Sequence, residues 1–232
     1  MQHSDEFATF AFDKRKLIYL LLTLLVLTAC TGTSWHPQLV AADSLLLTRP
    51  DSALTLLRSM SFTDKTDRMY HCLLLADACN KCYDTLPSDS ILHEVADYYD
   101  RYGSANEQVR AHYLLGCAYR DMGEAPHALQ CYQDAIDRAD TLAADCDFYT
   151  LSRVHSQMAA LLGEQMLPRQ QLEELQQQYY YAFRIQDTLC ILNAMGQMTN
   201  AYNMLEQTDS AALIAKNLVE IYTKPKFRST LV

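Results

Sequence analysis

Thiols are the reactive groups that first draw attention in this chain, with eight cysteines among 232 residues. Cys79 and Cys82 stand in the run CNKC, a spacing that serves a dithiol redox pair or half of a zinc site. There is no second CxxC, no thioredoxin-like βαβ pattern surrounds the first, and His71 with Cys72 does not supply a convincing third and fourth ligand. A labile disulfide or a thiol or metal role at 79/82 is kept as a minority alternative. Cys117 and Cys131 sit where small apolar residues recur, and most of the cysteines are expected to pack as small hydrophobes. HEVAD at 93–97 opens like a zinc-protease helix but lacks the second histidine. The seven histidines are scattered, with His112 and His155 expected on helix surfaces. Neither G-x-S-x-G nor a phosphate-binding loop occurs, and six glycines leave little material for one. No catalytic group, metal or cofactor is expected, and the chain is not read as an enzyme.

One cysteine has a different chemistry. In KRKLIYLLLTLLVLTAC, residues 14–30, three cations precede about a dozen apolar residues and then Cys30. The apolar run is shorter than the roughly 20 residues that cross a bilayer and has the proportions of a signal-peptide core. LTAC, Leu27 to Cys30, resembles a bacterial lipobox. That resemblance implies a signal peptide over 1–29, acylation of Cys30 (palmitate among the chains) and a lipoprotein anchored in the cell envelope. Two or more acyl chains hold a protein stably on a membrane. No acidic residue follows Cys30 directly, which favours the outer membrane if the enteric sorting rule applies. Seven cysteines remain, so full disulfide pairing would leave at least one unpaired.

The elements that carry the remaining chain read as helices. Leu, Ala, Gln, Glu and Met dominate, and Gly and Pro, six each, are too few for a β-sandwich. Half the residues are apolar, enough for a substantial core. The net charge of −9 and the absence of a basic stripe argue against nucleic acid as a partner. Related heptapeptides recur: DSALTLL from 51, DSILHEV from 89, PHALQCY from 126, RQQLEEL from 169 and DSAALIA from 209. From Ala53 to Ala211 four steps cover 158 residues, a mean period of 39.5. A second helical segment precedes each copy. The expected architecture is five helix pairs, at 38–48/51–60, 66–83/88–102, 106–122/125–139, 146–163/168–185 and 188–206/209–223, with Asp at or near several helix starts.

Residues 109–142 resemble a tetratricopeptide (TPR) repeat: Leu115, Gly116, Tyr119, Gly123, Ala128, Tyr132 and Ala135 stand at the matching positions. The last pair matches in part through Ala201, Tyr202 and Ala211, and LLGE at 161–164 parallels DMGE at 121–124. The usual Trp and the terminal Pro are absent, and the period exceeds 34. The resemblance implies an all-α, TPR-like α-solenoid of about five antiparallel helix pairs over 38–223, after a short tether over 30–37 and before a tail over 224–232. Gly116 and Ala128 would mark a helix crossing, with Tyr119 and Tyr132 filling the gap towards the next pair.

The same resemblance places a partner-binding groove along the first helix of each pair. Carried across, its rows hold Tyr113 with Arg153; Cys117 with Gln157 and Asn200; and Arg110 with Asn193. Arg120 and Gln197 lie close by. The family's Lys–Asn–Arg carboxylate clamp is not reproduced. The expected function is a membrane-tethered, non-catalytic scaffold that binds a protein or peptide. The chain looks like bacterial TPR lipoproteins and membrane-tethered TPR regulators, so the alternative is the sensor domain of a transmembrane signalling or transcriptional regulator cut short. Leu213, Ile214, Leu218 and Ile221 on the last helix have no following helix to cover them, which points to a further copy, a partner or a longer natural chain.

Overall fold

The computed structural model describes residues 35–223. The expected signal peptide over 1–29, Cys30 and the expected tail over 224–232 lie outside the described residues. Ten α-helices and no strand occur among the described residues: α1 Pro37–Leu45, α2 Pro50–Arg58, α3 Lys65–Lys81, α4 Asp89–Tyr102, α5 Ala105–Asp121, α6 Ala125–Asp137, α7 Phe148–Glu164, α8 Pro168–Arg184, α9 Thr188–Met204 and α10 Thr208–Thr223. They form the five expected pairs, with every end within three residues of the expected one. None is long and apolar enough to cross a membrane.

The helices begin by two chemistries. The first helices of four pairs are capped by side chains. Asp64 accepts from the Thr66 and Asp67 amides, Asp147 from Thr150 and Asp187 from Cys190. Ser104 and Glu107 close a reciprocal capping box on α5. Three of the second helices rely on proline instead, with Pro50 and Pro168 as first residues and Pro126 as the second residue of α6. Asp51, Asp89 and Asp209 of the recurring heptapeptide lie in first turns, where they meet the positive helix end.

Five of the helices, α3, α5, α7, α8 and α9, end in one recurring turn. Tyr83, Gly123, Met166, Gln186 and Glu206 all take left-handed backbone, with φ between 54° and 79°. In each case the next amide bonds a carbonyl five residues back: Asp84 to Cys79, Glu124 to Tyr119, Leu167 to Leu162, Asp187 to Ala182 and Gln207 to Tyr202, at 2.9–3.0 Å. This is the Schellman closure. Only one of the five positions is glycine, so only one repeat displays the turn in its sequence. The parallel of LLGE with DMGE is therefore corrected. Gly163 lies inside α7 under the Gln171 side chain, and Met166 occupies the turn position.

Packing within the third pair turns on Gly116. A Cβ there would sit 2.5 Å from Cε1 of Tyr132, so the ring lies directly on the α5 backbone. Tyr132, Ala128 and Ala135 are fully buried and Leu115 nearly so. Tyr132 thus fills the space within its own pair. Tyr119 turns backwards: its hydroxyl is 2.7 Å from His93 Nε2 on α4 and its ring stacks on His127 of α6. Both tyrosines depart from the expected placement towards the next pair, because the absent side chain at 116 leaves a slot that one ring fills completely. In the last pair Ala201 and Ala211 are buried and Tyr202 is half-buried. Ala159 of α7, Leu175 of α8 and Ala201 of α9 share a further apolar cluster.

His112 and His155 are buried, not on the surface. Each has a carboxylate partner on a neighbouring helix: Asp100, itself bidentate with Arg138, and Glu174 at 2.6 Å. Of the tyrosine run on α8, Tyr181 stacks between Phe148 and His155 while Tyr180 is exposed. On α10, Leu213 and Val219 are exposed and Ile214, Leu218 and Ile221 are half-buried.

Candidate partner-binding groove

The first helices α3, α5 and α7 present three connected recesses. The innermost, about 190 Å³, is lined by Asp77, Asn80, Lys81, Tyr83, Arg110, Tyr113, Tyr149, Thr150 and Arg153. A wider one of about 450 Å³ shares Asn80, Tyr83 and Arg153 with it and adds Arg120 and Gln157. A third, about 670 Å³, shares Asp77, Lys81, Arg110 and Tyr149 and extends to Asp43 and Asp187. Sharing these residues, they form one channel of mixed polar and apolar lining that runs past several helix pairs.

Arg110 is fixed in the floor of this channel. Its guanidinium donates to Asp77 Oδ2 at 2.6 and 2.9 Å and to Asp43 Oδ1 at 3.0 Å. Asp43 also accepts from the Tyr70 hydroxyl, and Asp77 from Lys81 Nζ at 2.6 Å. Burial drives the Asp77 carboxyl upward, but Arg110 and Lys81 outweigh it and hold it below the usual carboxylate range. Arg110 lines the recess, with three of its five N–H groups held by α1 and α3.

Tyr113 is likewise buried. Its oxygen accepts from Asn80 Nδ2 at 3.2 Å and from Arg153. Cys117 is fully buried beneath the Tyr132 hydroxyl and an Arg120 nitrogen, so it offers no groove surface. Arg120 bridges the channel wall, donating to Gln157 Oε1 at 2.9 Å and to its neighbour Asp121. The structure thus brings Arg110, Tyr113 and Arg153 into one recess, and Arg120, Arg153 and Gln157 into the next. Asn193, Gln197 and Asn200 do not line these recesses. Gln197 donates to Asn193 at 2.7 Å, and Asn200 is exposed further along α9.

Sequence reasoning missed Asp77, Asn80, Lys81 and Tyr149. Asp77 to Arg110 and Asn80 to Tyr113 are each 33 residues apart, seven short of the 40-residue offset between α3 and α5, so aligning the repeats does not pair them. The second pair does carry part of the small-residue pattern, with Ala76 and Ala78 buried at the positions of Gly116 and Ala118 forty residues on.

The CNKC thiols sit at the end of α3. Cys79 is buried and Cys82 is the C-cap. Burial pushes both thiols up, with nearby Asp51 adding to the effect at Cys82, which opposes a reactive thiolate. All seven described cysteines are free, and no group of three or more His, Cys, Asp or Glu is placed to hold a metal among the described residues.

No protein-family model matches the chain, and no curated protein matches its sequence. Solved structures do match its fold. The nearly identical TPR-like repeats described as kinesin light chain from Podosopora anserina align at TM-score 0.55 with 15% identity, covering 79% of this chain and 92% of that one. A signal transduction ATPase with numerous domains (STAND) protein from Pyrococcus horikoshii, which has a tetratricopeptide repeat sensor, aligns at 0.59 with 16% identity. That alignment covers 92% of this chain but 34% of the other. BtubC from P. vanneervenii aligns at 0.50 with 11% identity, over 94% and 84% of the two chains. The fold is a TPR-like α-solenoid. Such stacks offer an extended surface suited to protein partners.

Proposed function

We propose that this chain is a non-catalytic TPR-like scaffold, tethered to a bacterial envelope membrane through an acylated Cys30, that binds an extended peptide segment of a protein partner in the channel along α3, α5 and α7. The observation that carries the binding role is the continuity of the three recesses. A channel lined by side chains from successive helix pairs, with the Arg120–Gln157 bridge on its wall, accommodates an extended chain rather than a compact small molecule. The tether rests on the order of basic, apolar and LTAC segments, and the outer membrane is the favoured location. Self-association through α10 is a further element of the reading, since Leu213 and Val219 stand exposed there.

The test pairs partner capture with loss by design. Cross-linked membranes should yield a partner with the wild type, less with Arg120→Ala/Gln157→Ala, and none at the membrane with Cys30→Ser. Equal recovery with all three would sink both the groove and the tether.

A second reading is favoured by one finding. The STAND likeness spans nearly all of this chain and about a third of a protein whose name assigns a TPR sensor. On this reading the chain is the sensing part of a larger signalling protein. The intact mass of the natural gene product decides: about 26 kDa before processing leaves the scaffold, and a larger product with a second apolar segment leaves the sensor.

A further inference from the structure

Five lysine or arginine residues are only partly exposed among the described residues: Lys81, Arg110, Arg120, Arg138 and Arg153. Four have a carboxylate at ion-pair distance: Asp77 for Lys81, Asp77 and Asp43 for Arg110, Asp121 for Arg120, and Asp100 for Arg138. Arg153 has none. Its partners are the hydroxyl of Tyr113 and the thiol of Cys190, both neutral at physiological pH. A guanidinium carries five donors, and a half-buried one without a counter-charge has lost water without regaining an anion.

Its surroundings add to the demand. The inner recess is lined by three cations (Lys81, Arg110, Arg153) and one carboxylate, Asp77, which is already shared between the first two. Asn80 and Tyr113 place neutral donor groups beside Arg153. Asp84 and Asp121 in the adjoining recess are engaged by Arg58 and Arg120. The recess therefore lacks one negative charge at Arg153, in a chain whose overall charge is −9.

We infer that Arg153 receives the carboxylate of an Asp or Glu side chain from an extended peptide lying in the channel, with Asn80 as an accompanying donor. This rests on the groove reading above and names the chemistry of its ligand. A side chain is chosen over a chain terminus because the channel continues on both sides of Arg153, towards Arg120 and Gln157 in one direction and towards Arg110 and Asp43 in the other. A planar, bidentate carboxylate matches the guanidinium fork.

The experiment follows the arginine Nε–H resonances of the 15N-labelled chain, with Arg153 assigned by Arg153→Lys. The titrants are acetyl-Gly-Gly-Glu-Gly-Gly-amide, its Gln counterpart, pentaglycine with a free C-terminus, and inorganic phosphate. The expected result is a saturable shift of the Arg153 signal with the Glu peptide, about tenfold weaker with the Gln peptide. The shift should be lost in Arg153→Gln and partly kept in Arg153→Lys, with unchanged melting temperatures. Equal response to Glu and Gln peptides overturns the inference, as does stronger binding of pentaglycine or phosphate. If the Glu peptide moves other groove resonances equally in wild type and Arg153→Gln, the groove stands and the role of Arg153 falls. If no titrant moves any groove resonance, both fall.

Discussion

Two glycines in first helices of this chain face opposite surroundings. At Gly116 the ring of Tyr132 occupies the place of any side chain; at Gly196 a Cβ would meet nothing within 4 Å. Gly116→Leu should overpack the α5–α6 contact and destabilise by about 1–3 kcal/mol, seen as a lowered melting temperature. Gly196→Ala should stabilise α9 by roughly 0.5–1 kcal/mol, seen as a higher urea midpoint. Asp77 makes a pH prediction. Its carboxyl, raised by burial but lowered further by Arg110 and Lys81, titrates below its unfolded value of about 3.9. A depressed carboxyl contributes stability above that value and loses it as pH falls through the folded one. The melting temperature should therefore drop steeply below about pH 4. Asp77→Asn should be destabilised at pH 7 by about 3–5 kcal/mol, with a shallower acid limb. The sequence exposed Gly116 because small residues recur at its spacing. It hid Asp77, whose meaning depends on an arginine 33 residues away and another acid on α1.

Helices were legible because apolar periodicity and caps are local. Every pair could be placed from spacing, while the turns between them could not. Four of the five Schellman turns hold Tyr83, Met166, Gln186 or Glu206 in left-handed backbone, which costs an L-residue about 1–2 kcal/mol. Nothing local marks such residues as turn formers. Met166→Gly and Glu206→Gly should each stabilise by roughly 0.5–1 kcal/mol after the added chain entropy, and Gly123→Ala should destabilise by a similar amount. Urea unfolding of the single variants checks all three. The groove helices illustrate the complementary limit. Spacing places Arg110 and Arg153 on one side of successive first helices, but it does not reveal that one is neutralised and the other is not.

In a stack whose pairs bury their faces on neighbours, stability is a sum of local terms and is weakest where a neighbour is missing. The α10 helix exposes Leu213 and Val219, whereas α5 is buried along most of its length. Amide hydrogen exchange should accordingly be fastest in α9 and α10 and slowest in α5 and α6; uniform protection along the array would contradict this. Against that nearest-neighbour background Arg110 stands out. It joins α5 to α3 and also to α1, through an acid 67 residues away in sequence. A stack of otherwise independent leaves behaves as a spring of uniform stiffness. A cross-brace that skips a leaf stiffens the first three pairs against one another, and the Lys81 ammonium over the Tyr149 ring, 5.5 Å from its centroid, reaches past the third pair to the fourth. A pull on the α1 end would then pass to the α3 and α5 side of the channel, across from Arg153 on α7, so tension on the chain and occupancy of that channel would be mechanically coupled.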